Sequence, residues 1–115
     1  MTRSDEVFLR SVVQEVPELQ PLLDEHVKDQ YGVVLPHVLM GEIQSWAEAH
    51  VDSDPEAIRR LVLALDPGIT SGDEMVENVV AISFLEYLPA ADAPGGRVRA
   101  LLTPALIEAL AELES

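Results

Sequence analysis

The sequence predicts an all-α fold: a single helical domain over residues 1–115, built as an irregular bundle of five or six helices with a largely apolar central helix. Three observations predict it. Apolar residues recur at three- and four-residue spacing through successive segments, which places them on one side of a helix. Proline or a capping Ser, Thr or Asp stands where most of these runs begin. No segment alternates apolar and polar residues long enough to read as a strand, YGVVL at 31–35 being the nearest. A composition of 48% hydrophobic and 4% aromatic residues fits aliphatic helix packing and is too apolar for a disordered chain. A short stack of antiparallel helix pairs is the alternative arrangement.

The first helix is expected over Asp5–Val16, with Ser4 as N-cap and Leu9, Val13 and Val16 as its apolar stripe. Pro17 interrupts. Glu18–Gln30 restarts, carrying Leu19, Leu22, Leu23 and Val27 on one side, with Pro21 in the first turn and Gly32 closing the segment. Leu35-Pro36 opens the third helix, in which Val38, Leu39, Ile43, Trp46 and Ala47 recur as far as His50. Ser53-Asp54-Pro55-Glu56 reads as a capping box before Ile58, Leu61, Val62 and Leu65, and Asp66-Pro67-Gly68 is expected to stop that helix. Ser71-Gly72-Asp73-Glu74 reads as a second box, opening a helix up to Leu88. Pro89–Gly96 is a loop by composition, and Thr103-Pro104 opens the last helix with Leu106, Ile107, Leu110 and Leu113.

The stretch after Ser71 is the central helix, because its apolar residues point almost all round. Val76, Val80, Phe84 and Tyr87 share one face, Met75, Val79 and Ile82 the next, and Ala81, Leu85 and Leu88 the far side. Its polar exceptions are Glu77, Asn78, Ser83 and Glu86. They form either a narrow solvent-facing seam, with Ser83 bonding back to its own helix, or a partly buried network. Such a network would draw in Arg59 or Arg60, with Asn78 orienting a ligand or partner, or would simply bond helix to helix.

Charge limits the function. Seven basic residues face 21 acidic ones, a formal net charge of −14. Binding to a phosphate backbone or an anionic membrane surface is therefore not expected, since both need clustered lysine and arginine. The acids are concentrated in the N-terminal half, with 12 acids and 3 bases in residues 1–57 against 9 and 4 in 58–115. Such a field attracts a basic protein and speeds its encounter, although an acidic surface also serves solubility alone. MTRSDEVF does not read as a secretory signal and no apolar run is long enough for a membrane span, so a cytoplasmic location is expected.

Chemistry-bearing patterns are sparse. There is no cysteine, and His26, His37 and His50 form no Glu-x-x-His or HExxH spacing. Asp73, Glu74 and Glu77 stand at spacings that bring carboxylates together, but helix capping explains the first two more economically. Gly95-Gly96 follows no strand and precedes no clear helix, so it is not a phosphate loop. No catalytic residue, metal site or cofactor is assigned. Recognition residues are easier to propose: Trp46, the single tryptophan, ringed by Glu42 and Glu48, with Asp52 and Asp54 beyond and Tyr31 nearby. Glu77, Asn78 and Glu86 form the polar cluster of the central helix.

The stretches HVLMGEIQSWAEAHV (His37–Val51) and DEMVENVVAISFLEYL (Asp73–Leu88) resemble a family of small, all-helical bacterial proteins. In size and acidity these are similar to immunity proteins of bacterial toxin systems, which inactivate a toxin by binding it. The resemblance implies an inhibitor that acts by binding, and the negative charge of the N-terminal half makes the expected partner a basic protein, neutralised by occlusion. It transfers no functional residue. Two other classes stand beside it: a structural module that self-associates as a homodimer through its central helix, and a small metal-dependent enzyme built on Asp73, Glu74 and Glu77 or on a histidine.

Overall fold

A computed structural model describes residues 2–115. Helix α1 spans Ser4–Glu15, a short 3-10 helix Pro17–Leu19, α2 Gln20–Asp29, α3 Pro36–His50 and α4 Pro55–Ile69. Helix α5 spans Glu74–Val80 and runs on as a π-helical segment, Ala81–Leu85; a 3-10 helix, Gly96–Leu101, and α6, Pro104–Glu114, complete the chain. The regular structure of the described residues is entirely helical, an irregular all-α bundle around an apolar core.

The central helix is where the sequence places it. Helix α5 and its π segment pack against α1, α3, α4 and α6, burying Val76, Val79, Val80, Phe84, Leu85 and Leu88. Phe84 is the largest fully buried side chain, and Leu9, Leu39, Ile43, Leu61, Leu65 and Leu106 are buried with it in one continuous core. Helix α2 packs on α1 and α3. One flank of the central helix stays open: Met75 is 37% exposed, Ile82 43% and Tyr87 67%.

Helix starts follow local chemistry, with three corrections to the residue responsible. Asp54, not Ser53, caps α4, its carboxylate accepting from Ala57 N at 3.2 Å with Pro55 in the first turn. Asp73 caps α5, accepting from Met75 N and Val76 N, while Glu77 reaches back to Gly72 N at 2.8 Å. The Ser4 hydroxyl, and then those backbone N–H groups, hold the Asp73 carboxyl below its ordinary range. Ser4 itself lies inside α1, whose N-cap is Arg3. Asp5 in that first turn is fully buried, held by the Arg3 guanidinium at 3.0 and 3.2 Å.

Two expected breaks differ. Helix α4 does not stop at Asp66-Pro67-Gly68 but runs to Ile69. Proline removes one helical hydrogen bond, to the carbonyl of Leu63, and Leu63 lies on the solvent side of the helix at 63% exposure, where losing a backbone donor costs least. Gly68 then fits directly against the ring of Phe8, which a Cβ would meet at 2.5 Å. Gly95-Gly96 also leads into a helix after all. Gly95 takes φ of 82° at the turn, and Gly96 is buried as the first residue of the 3-10 helix.

Candidate functional site

The α2–α3 corner gathers the most unusual features of the surface. Helix α2 ends in a hydrogen-bonded reversal: Gly32 N donates to Val27 O at 2.8 Å and Tyr31 N to Lys28 O at 3.4 Å. This pairing closes a helix on a left-handed residue, a position that glycine normally occupies because it has no Cβ. Here Tyr31 occupies it, with φ of 56°, the one non-glycine residue with positive φ among the described residues. Its side chain returns nothing to the fold, being 97% exposed. Val33, Leu35 and Val38 follow at 53%, 41% and 47% exposure, whereas Val34 between them is buried.

His26 holds this corner in place. It is buried, with Nδ1 2.6 Å from Glu42 Oε1 and Nε2 accepting from Leu35 N at 3.1 Å. An Nε2 that accepts a backbone N–H carries no proton, so Nδ1–H is the donor to Glu42 and the tautomer is fixed. One imidazole thereby joins α2, the 30–35 turn and α3. His26 lies in helical register with Leu19, Leu22 and Leu23, and that spacing is the signal that marks it as interior.

The proposed recognition residues separate into three settings. Glu42 belongs to the corner through His26, and Trp46, one turn further along the same flank of α3, is half-buried and stacks on His50 with ring centroids 5.0 Å apart. Glu48 points to the opposite flank. It accepts from the buried Gln44, which also donates to Tyr87 O at 3.2 Å, and its stem packs on Gly95. Asp52 pairs with Arg97 at 3.2 Å, and Asp54 serves as the α4 cap.

The polar cluster of the central helix divides likewise. Glu77 closes the α5 cap, Asn78 lies exposed in a groove facing α6, and Glu86 is exposed beyond the π segment. Ser83 is not part of a solvent seam and does not bond back to its own helix. It is buried, with Oγ 2.6 Å from His37 Nδ1, tying the π segment to α3. The expected link to Arg60 is also absent, because Arg60 pairs with Glu18 at 2.8 Å and pulls that carboxyl down to about 2. Arg99 donates to Pro89 O, Leu88 O and Glu114, fastening the 88–99 loop to the end of α6.

Among the described residues, no three His, Cys, Asp or Glu side chains meet as a metal-binding group, and no helix is long and apolar enough to cross a membrane. Fold and surface together define a small helical domain whose distinctive feature is a presented aromatic corner. The chain belongs to the family described as domain of unknown function DUF7674, whose profile matches residues 9–114. No curated protein and no solved structure matches it.

Proposed function

We propose that the domain binds a basic protein at the α2–α3 corner and neutralises it by occlusion, in the manner of an immunity-type inhibitor from bacteria. The observation that carries this reading is Tyr31. A left-handed backbone costs an ordinary residue about 1–2 kcal/mol. Conformational strain spent on a ring that contacts nothing in its own fold is a mark of function. In the complex, Tyr31 supplies the buried aromatic anchor, Val33, Leu35 and Val38 the apolar surround, and the acid-rich N-terminal half the attraction that speeds encounter. The resemblance to immunity proteins supports the same reading.

Capture from native lysate, followed by titration of the isolated partner, tests it. Wild-type protein is expected to retain one basic protein at low salt and to hold it less well at high salt. Tyr31→Ala, equally folded by circular dichroism, is expected to lose it. Equal retention by the variant would sink the proposal. A self-associating module is the second reading, favoured by the open flank at Met75, Ile82 and Tyr87. Light scattering over a range of concentrations distinguishes the two, since a dimer lost on Tyr87→Ser would support self-association.

A further inference from the structure

A groove runs between the C-terminal end of α4, the outer side of α5 and the length of α6. Two adjoining hollows form it, of about 230 and 280 Å³, with Ile69, Ala109 and Glu112 common to both. Its lining is mixed, with Ile69, Ala81, Ala109 and Leu113 as the apolar part that serves as its floor. Its rim is acidic, with Glu77, Glu108 and Glu112, and no lysine or arginine lines either hollow among the described residues. Helix α6 makes this surface by register: Leu106 and Leu110 turn to the core, which leaves Ala105, Glu108, Ala109, Glu112 and Leu113 on the groove side. Alanine at 105 and 109 keeps the groove open. Ile69 and Thr70 bring in the negative pole of α4, whose last turn contains no basic residue.

We propose that this groove docks a basic amphipathic helix of a partner protein. Aliphatic side chains of that helix lie on the Ile69–Ala109–Leu113 floor, and its lysines or arginines reach the three glutamates and the end of α4. A second copy of this chain is a poor occupant, because each copy carries a net charge of −14 and the match of charge is lost. The surface draws on α4, α5 and α6 and on none of the α2–α3 corner, so the two sites stand or fall separately.

The test is titration of a labelled leucine–lysine helical peptide, followed by fluorescence anisotropy and by methyl NMR of the protein. A control peptide carries serine in place of every leucine. Saturable binding is expected, with shifts confined to the Ile69, Ala81, Ala109 and Leu113 methyls. The double change Glu108→Lys, Glu112→Lys is expected to weaken it at least about tenfold, and the serine control to bind weaker by a similar factor. Both glutamates are exposed, and lysine suits the C-terminal half of a helix, so the variant is expected to fold. Tyr31→Ala is expected to leave the affinity unchanged. Equal binding of the serine control, shifts scattered over the surface, or indifference to the charge reversal would each overturn the proposal. Groove shifts that grow with protein concentration in the absence of peptide would overturn it in favour of a second copy.

Discussion

Replacing Tyr31 by glycine is expected to make the protein more stable. At φ of 56° the tyrosine Cβ crowds the backbone, and relief of that crowding contributes about 1–2 kcal/mol. Against it, glycine frees the unfolded chain by about 0.4–1 kcal/mol. The ring itself adds almost nothing, because at 97% exposure it removes no appreciable area from water. The net gain is about 0.5–1 kcal/mol, which for a domain of this size raises Tm by about 2–5 °C. Tyr31→Ala, which keeps a Cβ in the same conformation, is expected to lie within about 0.5 kcal/mol of wild type. Urea and thermal unfolding of the three proteins measure both effects. A glycine variant less stable than wild type would refute the reasoning, since it would mean that the ring contributes contacts or that the left-handed backbone costs nothing here. A gain in stability with loss of partner binding would place the residue where stability has been given up for recognition.

Other perturbations have equally definite outcomes. Gly96→Ala places a Cβ 2.0 Å from Ala90 O and 2.8 Å from Ala91 O, both backbone atoms that cannot turn aside as a side chain would, and should cost at least about 2–3 kcal/mol, read as a lower urea midpoint at unchanged slope. His26→Ala strips Leu35 N of its acceptor and opens a cavity, for about 2–4 kcal/mol, and hydrogen exchange at the Leu35 amide should accelerate more than at the α4 core. The Glu18 carboxyl is held at about 2 by Arg60, against an ordinary 4.5, so its contribution is complete above about pH 4.5 and is lost as pH falls towards 2. Acid unfolding of Glu18→Gln should therefore show a shallower decline across that window, and an unchanged curve would mean that the pair is already broken in solution.

Most of the fold was legible because helix starts are written locally. Pro36, Pro55 and Pro104 each stand at the first turn of a helix, and Asp54, Asp73 and Thr103 each cap one through its own side chain. The departures are of another kind. Pro67 reads as a stop, but its effect depends on which carbonyl loses a donor, and that carbonyl belongs to Leu63 on the exposed side of the helix. Ser53 and Ser71 read as caps because box spacing alone does not choose between neighbouring candidates. The corner was legible only as Tyr31 and as Trp46 ringed by Glu42 and Glu48. Its left-handed turn closes through local bonds, Tyr31 N to Lys28 O and Gly32 N to Val27 O, that no glycine at position 31 announces, whereas the His26 brace depends on contacts across 9 and 16 residues and the His37–Ser83 bond on a contact across 46. The α6 groove had no local signal, since its glutamates face the end of α4 only once the bundle has closed.

The π segment has a consequence for how this chain tolerates changes in its length. Glu86 N bonds Ala81 O, five residues back, so one residue more than an α-helix requires is held in that turn. Elsewhere in a helix, deleting a residue rotates everything downstream by about 100° and drags buried side chains to the surface. Deletion of the exposed Ile82 can instead be absorbed as the wide turn tightens to an ordinary one, leaving Phe84, Leu88 and the loop beyond in phase with the core. The C-terminal end of the central helix is thus also a place where the chain carries slack, and where a variant one residue shorter at Ile82 is expected to keep the same bundle.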